Sequence, residues 1–250
     1  MPLLSTHNLS KHFDGVYAVD KLSISFEPGR ITGIIGPNGS GKSTLINTLT
    51  GLLPMDGGEV VIAGAERLTR IRSYEAPSIG MTRTFQDVRL FEQMPVIDNI
   101  LVTLTTRSIW AALFERHSRL HLELAEQALR KVGLWDKRDE LAANLSYGQR
   151  KLLEIARMLA MMHSGAGDVS VIFFDEPYAG LFPEMLRVVE NVMRELRDQG
   201  KAVVLVEHNM DLIRSLSDYL YVLDAGHLLA EGTPDEVLAR REVIEAYLGE

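Results

Sequence analysis

Apolar residues recur along this chain with two different periods, and where the period changes the architecture is expected to change. Near the start, residues 3–9 and 22–26 read as strands, and Leu22-Ser23-Ile24-Ser25-Phe26 alternates apolar and polar as a half-buried strand does. Pro28-Gly29 turns the chain into Ile31-Thr32-Gly33-Ile34-Ile35, an apolar run of the buried-strand kind. Ser43–Thr50 follows as a helix closed by Gly51, and Asp56-Gly57-Gly58 then turns into a short strand, Glu59–Ala63. Residues 87–145 change character to long helix-forming side chains. In Leu120–Val132, residues Leu122, Ala125, Leu129 and Val132 fall at helical spacing and Gly133 ends the helix. A second stripe, Leu152, Leu153, Ile155, Ala156, Leu159 and Ala160, follows Leu145-Ser146-Tyr147-Gly148-Gln149, with Ser146 suited to the N-cap. Ser164–Ser170 reads as a surface loop.

The strand pattern then returns. Val171-Ile172-Phe173-Phe174 is an apolar strand, Pro183–Asp198 an amphipathic helix with Met185, Val188, Val189, Val192, Met193 and Leu196 inward, and Ala202–Val206 another buried strand. A hairpin is expected around Asp224-Ala225-Gly226-His227. Thr233-Pro234-Asp235-Glu236 is a capping box, and a last helix runs through Tyr247-Leu248. Strands and helices at both ends with helices alone in the middle predict one α/β domain over 1–250. Its core comes from 1–86 and 163–250, and 87–162 forms a helical subdomain inserted into it.

Composition narrows the classes. A chain of 250 residues, 46% hydrophobic, can bury one sizeable core and carry a subdomain. No apolar stretch approaches the roughly 18 residues that span a bilayer, and Met1–His7 lacks the pattern of a signal peptide. The absence of cysteine excludes disulfides, thiolate zinc sites and a cysteine nucleophile, and suits the cytosol. A formal net charge of −8 argues against a broad nucleic-acid surface. A membrane role is therefore expected only through docking to a membrane protein.

The chemistry centres on Gly36-Pro37-Asn38-Gly39-Ser40-Gly41-Lys42-Ser43-Thr44, which fits the phosphate-loop pattern between a strand and a helix. Glycines let backbone N–H groups converge on an anion, the helix N-terminus and Lys42 add positive potential, and the Ser43 hydroxyl can ligate Mg²⁺. The chain is expected to bind a nucleoside triphosphate. Asp175-Glu176 closes the strand 171–174, where α/β folds place ligands. Asp175 suits a Mg²⁺-bound water and Glu176 a base for the attacking water. His208, just past the strand 202–206, can reach the same site or be an ordinary loop histidine. Either Phe13 or Tyr17 can stack on adenine, or be a plain hairpin aromatic. Gly148 lets a second anion approach the helix that starts at Ser146. His117 and His121 lie four apart, but no third zinc ligand is evident and a solvated helix face is favoured.

With Lys42, Gln86, Leu145–Gln149, Asp175-Glu176 and His208 in this order, the chain resembles the ATP-binding subunits of ABC transporters over essentially its whole length. The likeness is strongest to those of branched-chain amino-acid importers. It rests on Arg83-Thr84-Phe85-Gln86 with Arg89-Leu90-Phe91, Glu154-Ile155-Ala156-Arg157, Glu207-His208-Asn209-Met210 and Ala246-Tyr247-Leu248-Gly249-Glu250. The resemblance implies a phosphate-loop nucleoside-triphosphatase core with a parallel sheet, an N-terminal antiparallel β region and the inserted helical subdomain. It implies ATP and Mg²⁺ as cofactors and hydrolysis of ATP to ADP and phosphate, with Phe13 stacking on adenine and Gly36–Thr44 on the phosphates. Gln86 would sense Mg²⁺ and the water, Asp175 would hold Mg²⁺ through water, Glu176 would be the base, and His208 would grip the γ-phosphate. Ser146, Gly148 and Gln149 would act on ATP held by a second ATP-binding subunit. Further implied partners are two transmembrane permease subunits and, indirectly, a substrate-binding protein, with the chain peripheral on the cytoplasmic face of the inner membrane.

Two positions depart from the family: Tyr147 replaces the usual signature glycine, and Phe182 stands where relatives carry Asp or Asn. The leading expectation is the ATPase of an importer for branched-chain or related amino acids. The alternatives are an amide or urea importer, an envelope-lipid exporter, a soluble ABC-type ATPase acting on nucleic acid or ribosomes, and a regulatory module that does not hydrolyse.

Overall fold

The computed structural model describes residues 1–63, 66–85, 88–104, 119–162 and 169–248. The chain divides into two compact units: Met1–Arg83 with Val169–Glu176 and Val192–Glu250, and Thr84–Asp168 with Pro177–Asn191. The sequence-based division differs from this chiefly at Pro177–Asn191, which it left with the core. That stretch packs on the helix that starts at Tyr147, where Leu181 and Met185 crowd Gly148.

The first unit contains two sheets. One is antiparallel: β1 (Leu4–Phe13), β2 (Val16–Leu22), β3 (Ser25–Phe26), β5 (Gly57–Ile62) and β6 (Glu66–Leu68) run in the order β2-β1-β5-β6, with β3 also on β1. The other consists of β4 (Arg30–Ile35), β7 (Met81–Arg83), β8 (Val171–Asp175), β9 (Ala202–Val206), β10 (Tyr219–Asp224) and β11 (His227–Gly232), in the order β11-β10-β4-β9-β8-β7. Its central pairings are parallel and only β11 is antiparallel. Residues of β8 and β9 are buried throughout, so both faces are covered, as the continuous apolar runs require.

The core of this unit lies where helix α1 (Lys42–Leu49) and the antiparallel sheet meet one face of the parallel strands. Leu45, Ile46 and Leu49 pack with Leu4, Leu9 and Phe26 and with Phe173, Val204 and Leu223. Phe26 stands edge-on to Phe173 and Tyr221, with ring centroids 6.0 and 6.2 Å away.

The first strand is longer than the 3–9 expected. Asn8 adopts φ 49°, and the pairing register of β1 shifts beyond His7, so the inward side changes and the strand continues to Phe13. The strand read at 22–26 keeps its alternation but not its ladder. Between β2 and β3 the Thr6 hydroxyl donates to the Leu22 carbonyl (2.9 Å) and accepts from Ile24 N–H (3.0 Å), standing in for backbone partners.

In the second unit, α2 (Val96–Leu104), α3 (Arg119–Lys131) and α4 (Tyr147–Met162) pack on one another. The buried face of α3 is Leu124, Ala125, Ala128 and Leu129, whereas Leu122, expected to face inward, is 44% exposed. Leu124 and Ala128 take the places beside Ala125 and Leu129 instead. Asn99, fully buried in α2, accepts from Phe91 N–H (2.8 Å) and donates to the carbonyls of Phe91 (3.0 Å) and Pro95 (3.1 Å), pinning the preceding turn. The helix α5 (Pro183–Asp198) begins in this unit.

Candidate active site

The phosphate loop leaves the end of β4 and enters α1, and its neighbours within the first unit fix its path. A Cβ on Gly36 (φ 151°) would lie 2.1 Å from the Leu223 carbonyl oxygen, and one on Gly41 (φ 101°) 2.1 Å from that of Ala18. Both obstacles are backbone, so only glycine lets the loop pass between β2 and the end of β10. Gly226 N–H donates to the Ser40 carbonyl at 3.1 Å, closing the loop against the β10–β11 turn. Three other helix starts carry side-chain caps: Ser146 and Gln149 bond reciprocally, Asn209 accepts from two N–H groups, and Thr233 pairs with Glu236. The cap of α1 is Gly41, with no side-chain hydrogen bond, which leaves its first N–H groups for an anion.

Lys42 is buried and donates to the carbonyls of Gly36 (2.7 Å) and Pro37 (2.9 Å). Burial lowers its pKa from the usual lysine value, while Glu176 and then Asp175 pull it back up. Ser43 is exposed at the helix start, Thr44 is half-buried, and Asn38 and Gly39 stand exposed at the tip of the loop.

Asp175 is the last residue of β8 and is 2% exposed. Arg83, at the end of the neighbouring β7, donates to its Oδ2 at 2.8 Å, and also to Asn47 Oδ1 (2.6 Å) and Thr50 Oγ1 (3.2 Å). Glu176 follows with φ 47°, unusual for a residue with a side chain, and its N–H donates to the Val206 carbonyl at 3.0 Å. This conformation directs Oε1 to within 2.8 Å of His208 Nε2. Asn209, the residue next to His208, caps the helix α6 (Met210–Leu216) by accepting from the Asp211 and Leu212 N–H groups. The first unit thus brings together the phosphate loop, Asp175, Glu176 and His208.

Phe13 and Tyr17, on the β1–β2 hairpin, are 45% and 51% exposed. Lys11 Nζ lies 5.2 Å from the Phe13 ring centroid and is held by Asp56 (3.0 Å), whereas Tyr17 meets His12 edge-on. Ser146 and Gln149 lie in the second unit at the start of α4. The structure gives Gly148 a packing reason: a Cβ there would come 2.6 Å from Met185 Sδ. Gln86 and His117 lie outside the described residues. Sequence reasoning gave no role to Arg83; the only signal was an arginine at a strand end, three residues before Gln86. It likewise gave none to Tyr247, in the last helix, α7 (Arg241–Leu248), whose hydroxyl is buried. Burial pushes that hydroxyl up to about 12, with the Gly36 backbone acting in the other direction.

A phosphate loop feeding a helix, with acids at the end of another parallel strand of the same sheet, defines a nucleoside triphosphatase. The sequence model of ABC transporters matches residues 19–179. A second model, branched-chain amino acid ATP-binding cassette transporter, matches residues 227–250. The chain belongs to the ABC transporter family, as its ATP-hydrolysing cassette. It is 35% identical over 258 residues to the high-affinity branched-chain amino acid transport ATP-binding protein LivG of Escherichia coli (strain K12), covering 100% of this chain and 98% of the relative. It is 37% identical over 257 residues to a probable branched-chain amino acid transport ATP-binding protein LivG of Archaeoglobus fulgidus, covering 100% and 96%. A crystal structure of a nucleotide-free ATP-binding cassette from an ABC transporter superposes with a TM-score of 0.86 at 35% identity, with both chains fully covered. The ADP conformation of such a cassette gives 0.84, again at 35% identity and with both chains fully covered.

Proposed function

We propose that this chain hydrolyses ATP to drive an importer of branched-chain or related amino acids, and that Lys42, Asp175, Glu176 and His208 carry the reaction. The observation that supports this most is the convergence of strand-end acids, His208 and the phosphate loop within one compact unit. ATP seats its phosphates on the uncapped N–H groups of α1 and on Lys42, whose contacts with its own loop are exchanged for phosphate oxygens. The Ser43 hydroxyl and the Asp175 carboxylate are the hard oxygen donors that suit Mg²⁺, with Gln86 a further ligand. A Mg²⁺ held there would offset the negative charge of the phosphates. Glu176 accepts a proton from the attacking water, and His208, hydrogen-bonded to Glu176, contacts the γ-phosphate that leaves. Phe13 stacks on adenine.

In the second unit, Ser146, Gly148 and Gln149 act on ATP held by another ATP-binding subunit, so that two subunits close over two nucleotides and reopen after hydrolysis. Gln86–Asn99 meets the permease pair, which in turn works with a substrate-binding protein. Two of its residues are tied to neighbours outside it: Arg89 lies over Phe85 (4.4 Å) and Phe91 lies under Arg157 (5.7 Å), which also donates to the Arg89 carbonyl. Among the described residues no helix is long and apolar enough to cross a membrane, which fits peripheral attachment at the cytoplasmic face. The transport names of the relatives favour this reading over action on nucleic acid or ribosomes. Co-expression with the adjacent permease subunits tests it. The chain should then sediment with membranes and resist mild salt washing, and recovery in the soluble fraction would count against transport.

A further inference from the structure

We infer that Arg83 is a positioning residue for the metal site, a strut that sets Asp175 relative to the helix carrying Ser43. The two proposed metal-side groups stand on different elements, Asp175 at the end of β8 and Ser43 at the start of α1. Arg83 reaches both elements. One guanidinium nitrogen donates to Asp175 Oδ2 at 2.8 Å, and the other to Asn47 Oδ1 at 2.6 Å and Thr50 Oγ1 at 3.2 Å. Asn47 lies in α1 and Thr50 is its C-cap. The Thr50 hydroxyl is itself fixed, donating to the Ile46 carbonyl at 2.7 Å. The side chains of Arg83 and Asp175 are 8% and 3% exposed.

A buried ion pair adds little net stability over apolar packing. What the planar guanidinium does supply is direction, since its two terminal nitrogens, one on Asp175 and the other on Asn47 and Thr50, lie in one rigid plane. With Oδ2 engaged by Arg83, the orientation of the Asp175 carboxylate toward a Mg²⁺-bound water would be set by that contact. Two effects of opposite sign are in play. As a nearby cation Arg83 opposes Mg²⁺, so its removal would tighten metal binding. As a strut it holds the carboxylate aimed, so its removal would weaken binding. The geometry points to the second effect as the larger, because Arg83 occupies one edge of the carboxylate and is anchored on its other side.

This rests on the proposed role of Asp175, and the experiment separates the two. Affinity for a fluorescent, non-hydrolysable ATP analogue is measured on the full chain with and without Mg²⁺. Asp175→Asn should abolish most of the gain in affinity that Mg²⁺ confers; an unchanged gain would overturn the reading of Asp175 and the inference with it. Arg83→Met should reduce that gain about tenfold, as outer-shell partners of a metal typically do when lost, with the Mg²⁺-free affinity within about twofold of wild type. Arg83→Lys, which keeps charge but not the fork, should recover part of the gain, and it carries the test alone if Arg83→Met does not fold, with an expected loss of about threefold. Asn47→Ala should act in the same direction and more weakly. If Asp175→Asn behaves as expected but the Arg83 variants show an unchanged or larger Mg²⁺ gain, or lose Mg²⁺-free and Mg²⁺-bound affinity together, the strut is refuted.

Discussion

Around the phosphate loop the proposed working groups are fixed by backbone and burial, whereas around Ser146 they stand at the surface at a helix start. Asp175 and Lys42 are nearly inaccessible, Glu176 is held at a positive φ, and Gly36 and Gly41 of the loop face carbonyl oxygens. Ser146 and Tyr147 are exposed, as is Phe182 at 68%, and Ser146 is held by its mutual bonds with Gln149 and by the Arg150 N–H on its carbonyl. The contrast follows from the tasks proposed for each. Stabilising charge on a transferring phosphoryl group needs donors and acids that do not reorganise. A surface that meets a second subunit and releases it needs exposed groups whose contacts form only on closure.

Perturbations of each region should therefore read out differently. The largest effect is expected at Glu176. Glu176→Gln keeps the size and hydrogen-bonding capacity but removes the base, and phosphate release should fall by about two to four orders of magnitude. A normal rate would move the base out of the first unit.

The glycines sharpen the comparison. Gly148→Ala pushes a Cβ against the flexible Met185 side chain and should cost roughly 1–3 kcal/mol of stability, largely recovered by Met185→Ala. Gly36→Ala meets a carbonyl of the sheet at 2.1 Å, so denaturant melts should show a larger loss with no side-chain rescue. Equal losses at the two positions would erase the distinction between rigid and adaptable surroundings.

At the hairpin, Phe13→Ala should weaken ATP binding by about 1–2 kcal/mol and leave turnover at saturating ATP nearly intact. Tyr17→Ala should matter less; the reverse order in KM would hand the adenine platform to Tyr17.

The smallest effect concerns what steadies Phe13. The His12 N–H, then Lys11, hold the Asp56 carboxyl below its usual range. That contribution is present above about pH 4, the unfolded value, and is lost as pH falls through the lower folded value. Asp56→Asn should lower the melting temperature slightly at neutral pH, and the difference from wild type should vanish in acid. A constant difference down to pH 3 would contradict the assignment.

Much of the fold was legible because its signals are local: an apolar run before a glycine-rich loop, another before Asp175-Glu176, a capping box at Thr233. Local patterns failed where a single residue changes the phase. Asn8 reverses the inward side of β1, and Thr6 replaces part of a ladder with its hydroxyl, neither of which alternation records. In α3 the choice between Leu122 and Leu124 depends on which neighbours lie alongside. At the site, residue types were readable and pairings were not. Glu176 with His208, and Arg83 with Asp175 and Asn47, join segments far apart in sequence. Gly148 was read as room for an anion, and its tightest constraint is the Met185 sulfur.

The central claim, that the first unit binds and cleaves ATP while the second acts on the nucleotide of a partner, is tested most directly by light scattering of the Glu176→Gln chain with and without ATP. Slowed hydrolysis should let an ATP-dependent dimer accumulate, formed by the chain itself or with a paralogous ATP-binding subunit supplied in the mixture. Lys42→Ala should lose that dimer together with ATP affinity. Adding Ser146→Arg to Glu176→Gln should abolish the dimer while each chain still binds ATP. An ATP-dependent dimer that survives Ser146→Arg would contradict the account.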